Sequence, residues 1–215
     1  MDRTEDTQSA AALAHLRSAD PVMADMIDRW GPLHLTYTDD YFFTLVDAIA
    51  SQQLSGKAAA TIVGRIRALV PGKERIEPSD ILALPDQALR DAGLSWSKVS
   101  YIKDLAQRVD SGQVHLGRIS EMEDEEIINE LVAVKGIGRW TAEMFLIFSL
   151  ARPDVLAVDD LGIRAGIKRL YNLPDLPKPP QMREIGEPWR PYRSYASLYL
   201  WRSADNSPKV EALEG

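Results

Sequence analysis

No cysteine occurs among the 215 residues, and this removes disulfides, thiolate zinc sites and cysteine-held iron–sulfur clusters from the chain. Histidine is nearly as scarce. His15, His34 and His115 are scattered, with no partner at ligand spacing, so each reads as a surface or internally satisfied residue and not as a metal ligand. Long apolar runs are missing too: the longest candidate, residues 144–151, is far too short to span a bilayer. The opening MDRTEDTQSA lacks the basic-then-apolar form of a signal peptide, so a cytosolic protein without membrane association is expected. There is no internal repeat and no low-complexity segment beyond a proline cluster at 172–191.

What is present is a chain 45% hydrophobic and 27% charged, enough to bury a substantial core as one domain or two small lobes. The net charge of -7 argues at first against a polyanionic partner, but charge acts locally and here it is uneven. Residues 1–134 carry 13 basic and 22 acidic side chains, whereas residues 135–202 carry 11 basic and 7 acidic. The second segment is therefore net basic, either as a binding face or as chance clustering on a solvated one.

The basic segment opens within LVAVKGIGRWTAEMFLIFSL, residues 131–150. Upstream, Ile127, Ile128, Leu131 and Val132 recur at helical spacing behind the acidic turn Glu123-Asp124-Glu125-Glu126, which suits a helix N-terminus and predicts a helix ending near Val134. Downstream, Thr141, Met144, Phe145, Ile147 and Phe148 suit one face of a second helix. Gly136-Ile137-Gly138 must turn the chain between them, and such a turn either caps and packs two helices or aims N–H groups at an anion. A dinucleotide fingerprint fits less well, because Thr141 stands where its third glycine belongs and a helix precedes it.

Elsewhere the periodicity is helical almost throughout. Residues 1–8 are expected to be disordered, with short helices at 11–17 and 21–30 broken at Asp20-Pro21. Leu33, Leu35 and Tyr37 give a weak strand signal. Two apolar stripes, one from Tyr41 to Ile49 and one from Ala58 to Leu69, flank the polar corner Ser51-Gln52-Gln53. Further helices are predicted near 79–82, 86–91, 99–109, 160–171 and 194–202, with loop or short turns over 172–191 and a frayed end.

Two features could carry chemistry. The vicinal pair Asp159-Asp160 precedes a predicted helix and reads either as N-cap or as a working carboxylate. Trp140 and Met144, one turn apart, read either as core or as the lining of an aromatic pocket.

The combination resembles the helix-hairpin-helix DNA glycosylases, in their alkylated-base branch, the 3-methyladenine DNA glycosylase II type. Four segments carry the resemblance over most of the chain: AIASQQLSGKAA (48–59), GLSWSKVSYIKDLA (93–106), VKGIGRWTAEMF followed by VLAVDDLGIRAGIKRLY, and WRPYRSYASLYLWR (189–202). The resemblance implies an all-α, two-lobe helical fold with a base pocket between the lobes, in the compact form without an extra N-terminal β domain. Residues 1–40 would complete the second lobe, 41–134 would form the lobe with the wedge loop, and 135–215 would hold the hairpin, the catalytic segment and the closing helix.

By the same resemblance Asp160 falls at the catalytic aspartate, with Asp159 beside it. Trp140, Met144 and Leu161 would line the base pocket. Trp140 stands where bifunctional relatives place a Schiff-base lysine, which implies hydrolysis without strand cleavage. Gln53, with Gln52 and Leu54, matches the wedge that fills the gap left by a flipped base. Lys135, Gly136, Gly138, Arg139 and Thr141 would grip a DNA phosphate, Lys135 replacing the usual proline. The carbonyls of Val132, Val134 and Ile137 would hold a structural Na+ or K+, with no cofactor required for catalysis. The implied partner is double-stranded DNA carrying an alkylated base, met by a monomer in the cytoplasm near the nucleoid or, in a eukaryote, in the nucleus. Two other functions fit the hairpin less fully: a non-catalytic DNA-binding module, which would not need Asp160, and a glycosylase for deaminated or oxidised bases.

Overall fold

The computed structural model describes residues 3–203, and the frayed end expected over the last dozen residues lies outside them. The described chain is α-helical: α1 (Arg3–Ala19), α2 (Pro21–Trp30), α3 (Tyr41–Ser51), α4 (Gly56–Ala68), α5 (Pro78–Ala83), α6 (Asp86–Asp91), α7 (Trp96–Asp110), α8 (Asp124–Val132), α9 (Arg139–Phe148), α10 (Leu161–Leu170), α11 (Pro179–Gly186) and α12 (Arg193–Ser203). Two 3-10 turns, Leu116–Glu121 and Glu187–Trp189, complete it. No helix among the described residues is long and apolar enough to cross a membrane. The chain divides into two units, Thr38–Phe145 and the residues before and after it. The division falls inside α9, so the hairpin groups with the residues that precede it.

In the unit Thr38–Phe145, α3 buries Phe42, Phe43, Leu45, Val46, Ile49 and Ala50, the stripe its spacing predicts. It packs on α4 and α7, and α7 turns Val99, Ile102, Leu105 and Ala106 into the same core. The α7 N-terminus is capped by Ser95, which accepts from the Lys98 N–H at 3.2 Å. The α8 N-terminus carries a reciprocal capping box between Glu123 and Glu126, so the acidic run there is a helix start and not merely a solvated patch.

In the other unit α12 is buried nearly all round, with Tyr195, Ala196, Tyr199, Leu200 and Trp201 inside. Its buried Ser194 is satisfied from across the chain: it donates to the Arg152 carbonyl at 2.6 Å and accepts from the Val155 N–H at 2.9 Å. Gly166 permits this burial, because a Cβ there would lie 2.6 Å from the Leu200 carbonyl oxygen. Asp20 caps α2 through the Val22 N–H at 2.8 Å and also accepts from Trp189 Nε1 at 2.8 Å and from the Tyr171 hydroxyl. Burial and this bond push the Tyr171 pKa well above its ordinary value.

Three local expectations change. Helix α1 begins at Arg3, inside the stretch expected to be disordered, because Ser9 is drawn inward to the His34 Nδ1 (3.0 Å) and continuing the helix satisfies the backbone ahead of it. The strand signal at 33–37 becomes a single antiparallel bridge, Tyr37 to Leu150, since no other strand lies beside it for the alternation to pair with. The proline cluster does not exclude a helix: Pro179 and Pro180 occupy the first positions of α11, where a missing N–H costs nothing.

Candidate functional site

The hairpin is built by α8, α9 and the face of α7. After Val132 the chain tightens through Val134 N–H to Leu131 O (3.0 Å) and Ile137 N–H to Val134 O (3.2 Å). Gly136 takes φ +81°, and a Cβ on it would fall 2.2 Å from the Tyr101 ring. Only glycine meets both demands at this position. Gly138 differs, having no positive φ and open space around it. It leads into α9 without a side chain that could cap the first-turn N–H groups.

Asp104 of α7 accepts from the Lys135 N–H at 2.9 Å and from Arg108 Nε at 2.9 Å. Partial burial works to raise the Asp104 pKa, but these hydrogen bonds outweigh it and hold the carboxyl below its ordinary value. The Lys135 side chain is exposed and its ammonium stands 3.8 Å from Asp104, a loose pairing. Arg139 is more committed: its guanidinium makes a two-pronged contact with Glu125 and reaches Glu143 at 3.1 Å. The hydrogen bond from Arg139 holds the Glu125 pKa down, and the same bond raises that of Arg139. The two basic residues flanking the glycines thus differ, Arg139 bracing α8 against α9 and Lys135 reaching outward.

On α9, Trp140 is 46% exposed and so is not a core residue, while Met144 is half-buried and Phe145 packs edge-on against Tyr41. The corner after α3 separates its three candidates. Gln52 is half-buried and donates through Nε2 to the Gly136 carbonyl at 2.9 Å. Gln53, with φ +58°, and Leu54 are exposed.

In the other unit Asp160 is 8% exposed and caps α10, whereas Asp159 is exposed. One Asp160 oxygen, Oδ1, accepts from the Ile163 N–H at 2.7 Å and from Trp201 Nε1 at 2.8 Å. The indole of Trp201 is buried and lies 5.3 Å, centroid to centroid, from the Phe148 ring. Gly162 makes room for it, since a Cβ there would sit 2.7 Å from Trp201 Cδ1. Leu161, beside the carboxylate, is 61% exposed. The cap is therefore what fixes the Asp160 carboxylate in place. Sequence reasoning missed Trp201 as its second donor, and Asp104 and Tyr101 as the supports of the hairpin. Each lies far from its partner in the chain, and their only signal was membership of the two segments 93–106 and 189–202.

A helical chain with a glycine-turned hairpin and a buried, twice-held aspartate at a helix N-terminus has the parts of a helix-hairpin-helix protein. Residues 46–191 match the family described as HhH-GPD superfamily base excision DNA repair protein, and the chain belongs to that superfamily. It is 38% identical over 161 residues to DNA-3-methyladenine glycosylase 1 of Schizosaccharomyces pombe, covering 74% of this chain and 71% of the relative. Among solved structures, the DNA-3-methyladenine glycosidase of Bacillus halodurans superposes with a TM-score of 0.82 at 37% identity, covering 94% of this chain and 91% of that one. The Schizosaccharomyces pombe 3-methyladenine DNA glycosylase Mag1, in complex with abasic DNA, superposes with a TM-score of 0.79 at 33% identity, covering 91% and 97%.

Proposed function

We propose that this protein is a monofunctional DNA glycosylase that hydrolyses the N-glycosidic bond of alkylated bases, 3-methyladenine and related methylated purines, and leaves an abasic site. The observation that carries the reading is Asp160, a buried carboxylate with one oxygen held by two N–H donors. A carboxylate fixed in this way costs little reorganisation when positive charge develops on the sugar. As the glycosidic bond breaks, its electron pair leaves on the base, and a cationic methylated purine departs neutral without needing a proton. Asp160 offsets the oxocarbenium charge, orients the water whose oxygen bonds to C1′ and takes the proton that this water gives up.

Trp140 supports the same substrate class. Its exposed indole would favour a cationic base over a neutral one by roughly 0.5 to 2 kcal/mol, and Met144, one turn further along α9, would contribute apolar contact. With tryptophan at this position there is no amine to capture C1′, so strand cleavage is not expected. The phosphate grip falls to the backbone from Gly136 to Thr141 and to Lys135, while Arg139 serves the hairpin from within. Gln53 and Leu54 would fill the gap left in the duplex, and Gln52 would hold them. The carbonyls of Val132, Val134 and Ile137 are neutral hard donors at a tight turn, which suits a monovalent cation; the Val134 oxygen already accepts one N–H.

The test is a panel of duplexes with single defined lesions: 3-methyladenine, 7-methylguanine, hypoxanthine, 8-oxoguanine and uracil. Release of the methylated purines with intact abasic strands is expected. Failure on every methylated purine would overturn the substrate class, and binding without release of any base would favour a non-catalytic module.

A further inference from the structure

We propose that Lys98 is a positioning residue for base flipping: its ammonium clamps the corner after α3 and so fixes how Gln53 is presented to the duplex. This rests on the reading of Gln53 as the residue that fills the gap.

The clamp is made of two bonds. Lys98 Nζ donates to the Ala50 carbonyl at 2.7 Å and to the Gln52 carbonyl at 2.6 Å. Both acceptors lie at the C-terminal end of α3, where carbonyls run out of helical N–H partners and the helix dipole favours a positive charge. The carbonyl of Gln52 belongs to the peptide that leads directly into Gln53, whose φ of +58° is one that residues other than glycine rarely adopt. A strained residue keeps such a conformation only when its surroundings over-determine it. Here they do so from two sides, since the Gln52 side chain is also tied to the Gly136 carbonyl. The result is a corner with one glutamine held inward and Gln53 and Leu54 held outward.

The lysine is placed for this and for little else. Its own backbone N–H is committed to the Ser95 cap at the start of α7, which fixes the base of the side chain. Burial pushes its pKa below the ordinary lysine value, the mark of a desolvation cost on the ammonium. Two strong carbonyl bonds are what offsets that cost.

The test uses a duplex with a tetrahydrofuran abasic analogue beside 2-aminopurine, whose fluorescence reports insertion of a side chain into the stack whatever lesion the enzyme prefers. The wild-type protein should change the signal, and both Gln53→Ala and Lys98→Met should lose most of that change. Lys98→Arg, which keeps the charge, should restore part of it. Excision of a methylated purine should fall about tenfold or more in paired duplex for Lys98→Met but change little in single-stranded DNA, where no gap needs filling. The double variant should be no worse than either single one. If Gln53→Ala loses the signal and Lys98→Met keeps it, the role of Lys98 is overturned while the wedge stands. If Gln53→Ala keeps the signal, the wedge reading fails and this proposal with it. Equal loss of excision on duplex and single strand would reduce Lys98 to a structural residue and overturn the proposal. Should Lys98→Met not fold, Lys98→Gln, which retains an N–H donor, takes its place under the same outcomes.

Discussion

Two helix N-termini in this protein are furnished in opposite ways. That of α10 is closed by its own residue: Asp160 takes the Ile163 N–H at 2.7 Å and is itself pinned by Trp201. That of α9 is preceded by Gly138, which has no side chain to offer as a cap. The same dipole thus serves two ends. At α10 it stabilises a carboxylate that belongs to the protein, and at α9, on the proposed reading, it favours a DNA phosphate. On that reading the closed terminus holds a fixed reagent and the one left open by Gly138 receives a ligand.

That contrast can be broken most strongly at the closed end. Asp160→Asn should lower excision by about a thousandfold or more while DNA affinity stays near wild type, measured by single-turnover release and by titration of abasic duplex. Unchanged turnover would sink the assignment. Gly136→Ala acts at the open end and should be next in size: the added methyl meets Tyr101 at a positive φ, so a loss of roughly 2 kcal/mol or more is expected in denaturant unfolding, with weaker DNA binding. Trp201→Phe keeps the ring stack but deletes one donor to Asp160, and should slow excision by about tenfold with little change in KM.

Smaller effects sharpen the open end. Asp104 has its pKa lowered in the folded state, so its contribution is complete above about pH 4, its ordinary range, and is lost as pH falls through the lower folded value. Asp104→Asn should remove about 1 kcal/mol of stability at neutral pH and flatten the acid limb of the stability curve. Smallest of all, Lys135→Gln should reduce the salt dependence of DNA binding by about one phosphate contact, whereas Arg139→Gln should leave the slope nearly as it was and instead loosen α8 from α9. A reversal of that order would mean that Arg139 releases its glutamates on binding.

Much of this was legible in the chain. The stripes of α3, α7 and α8 follow from periodicity, and the turn between α8 and α9 follows from two glycines. Where the reading went astray, a local signal competed with a distant partner. Residues 3–8 look disordered because they are themselves all polar, yet Ser9 is held by His34. Leu33 to Tyr37 alternate like a strand, but a strand needs a neighbour, and among the described residues Leu150 alone answers, to Tyr37. Prolines 179 and 180 look like a break and are a helix start.

At the site the division is the same. The sequence by itself determined the helical class, the glycine turn, the aspartate pair and the tryptophan in place of a lysine, because periodicity, backbone freedom and side-chain chemistry are properties of single residues and short windows. Only the tertiary structure decided that Asp160 and not Asp159 is buried, that Trp201 holds it from 41 residues away, that Arg139 is spent on glutamates, and that Lys98 grips the corner before Gln53. Those are contacts across long stretches of chain, and a contact exists only once packing has chosen which of many chemically suitable partners lies within 3 Å.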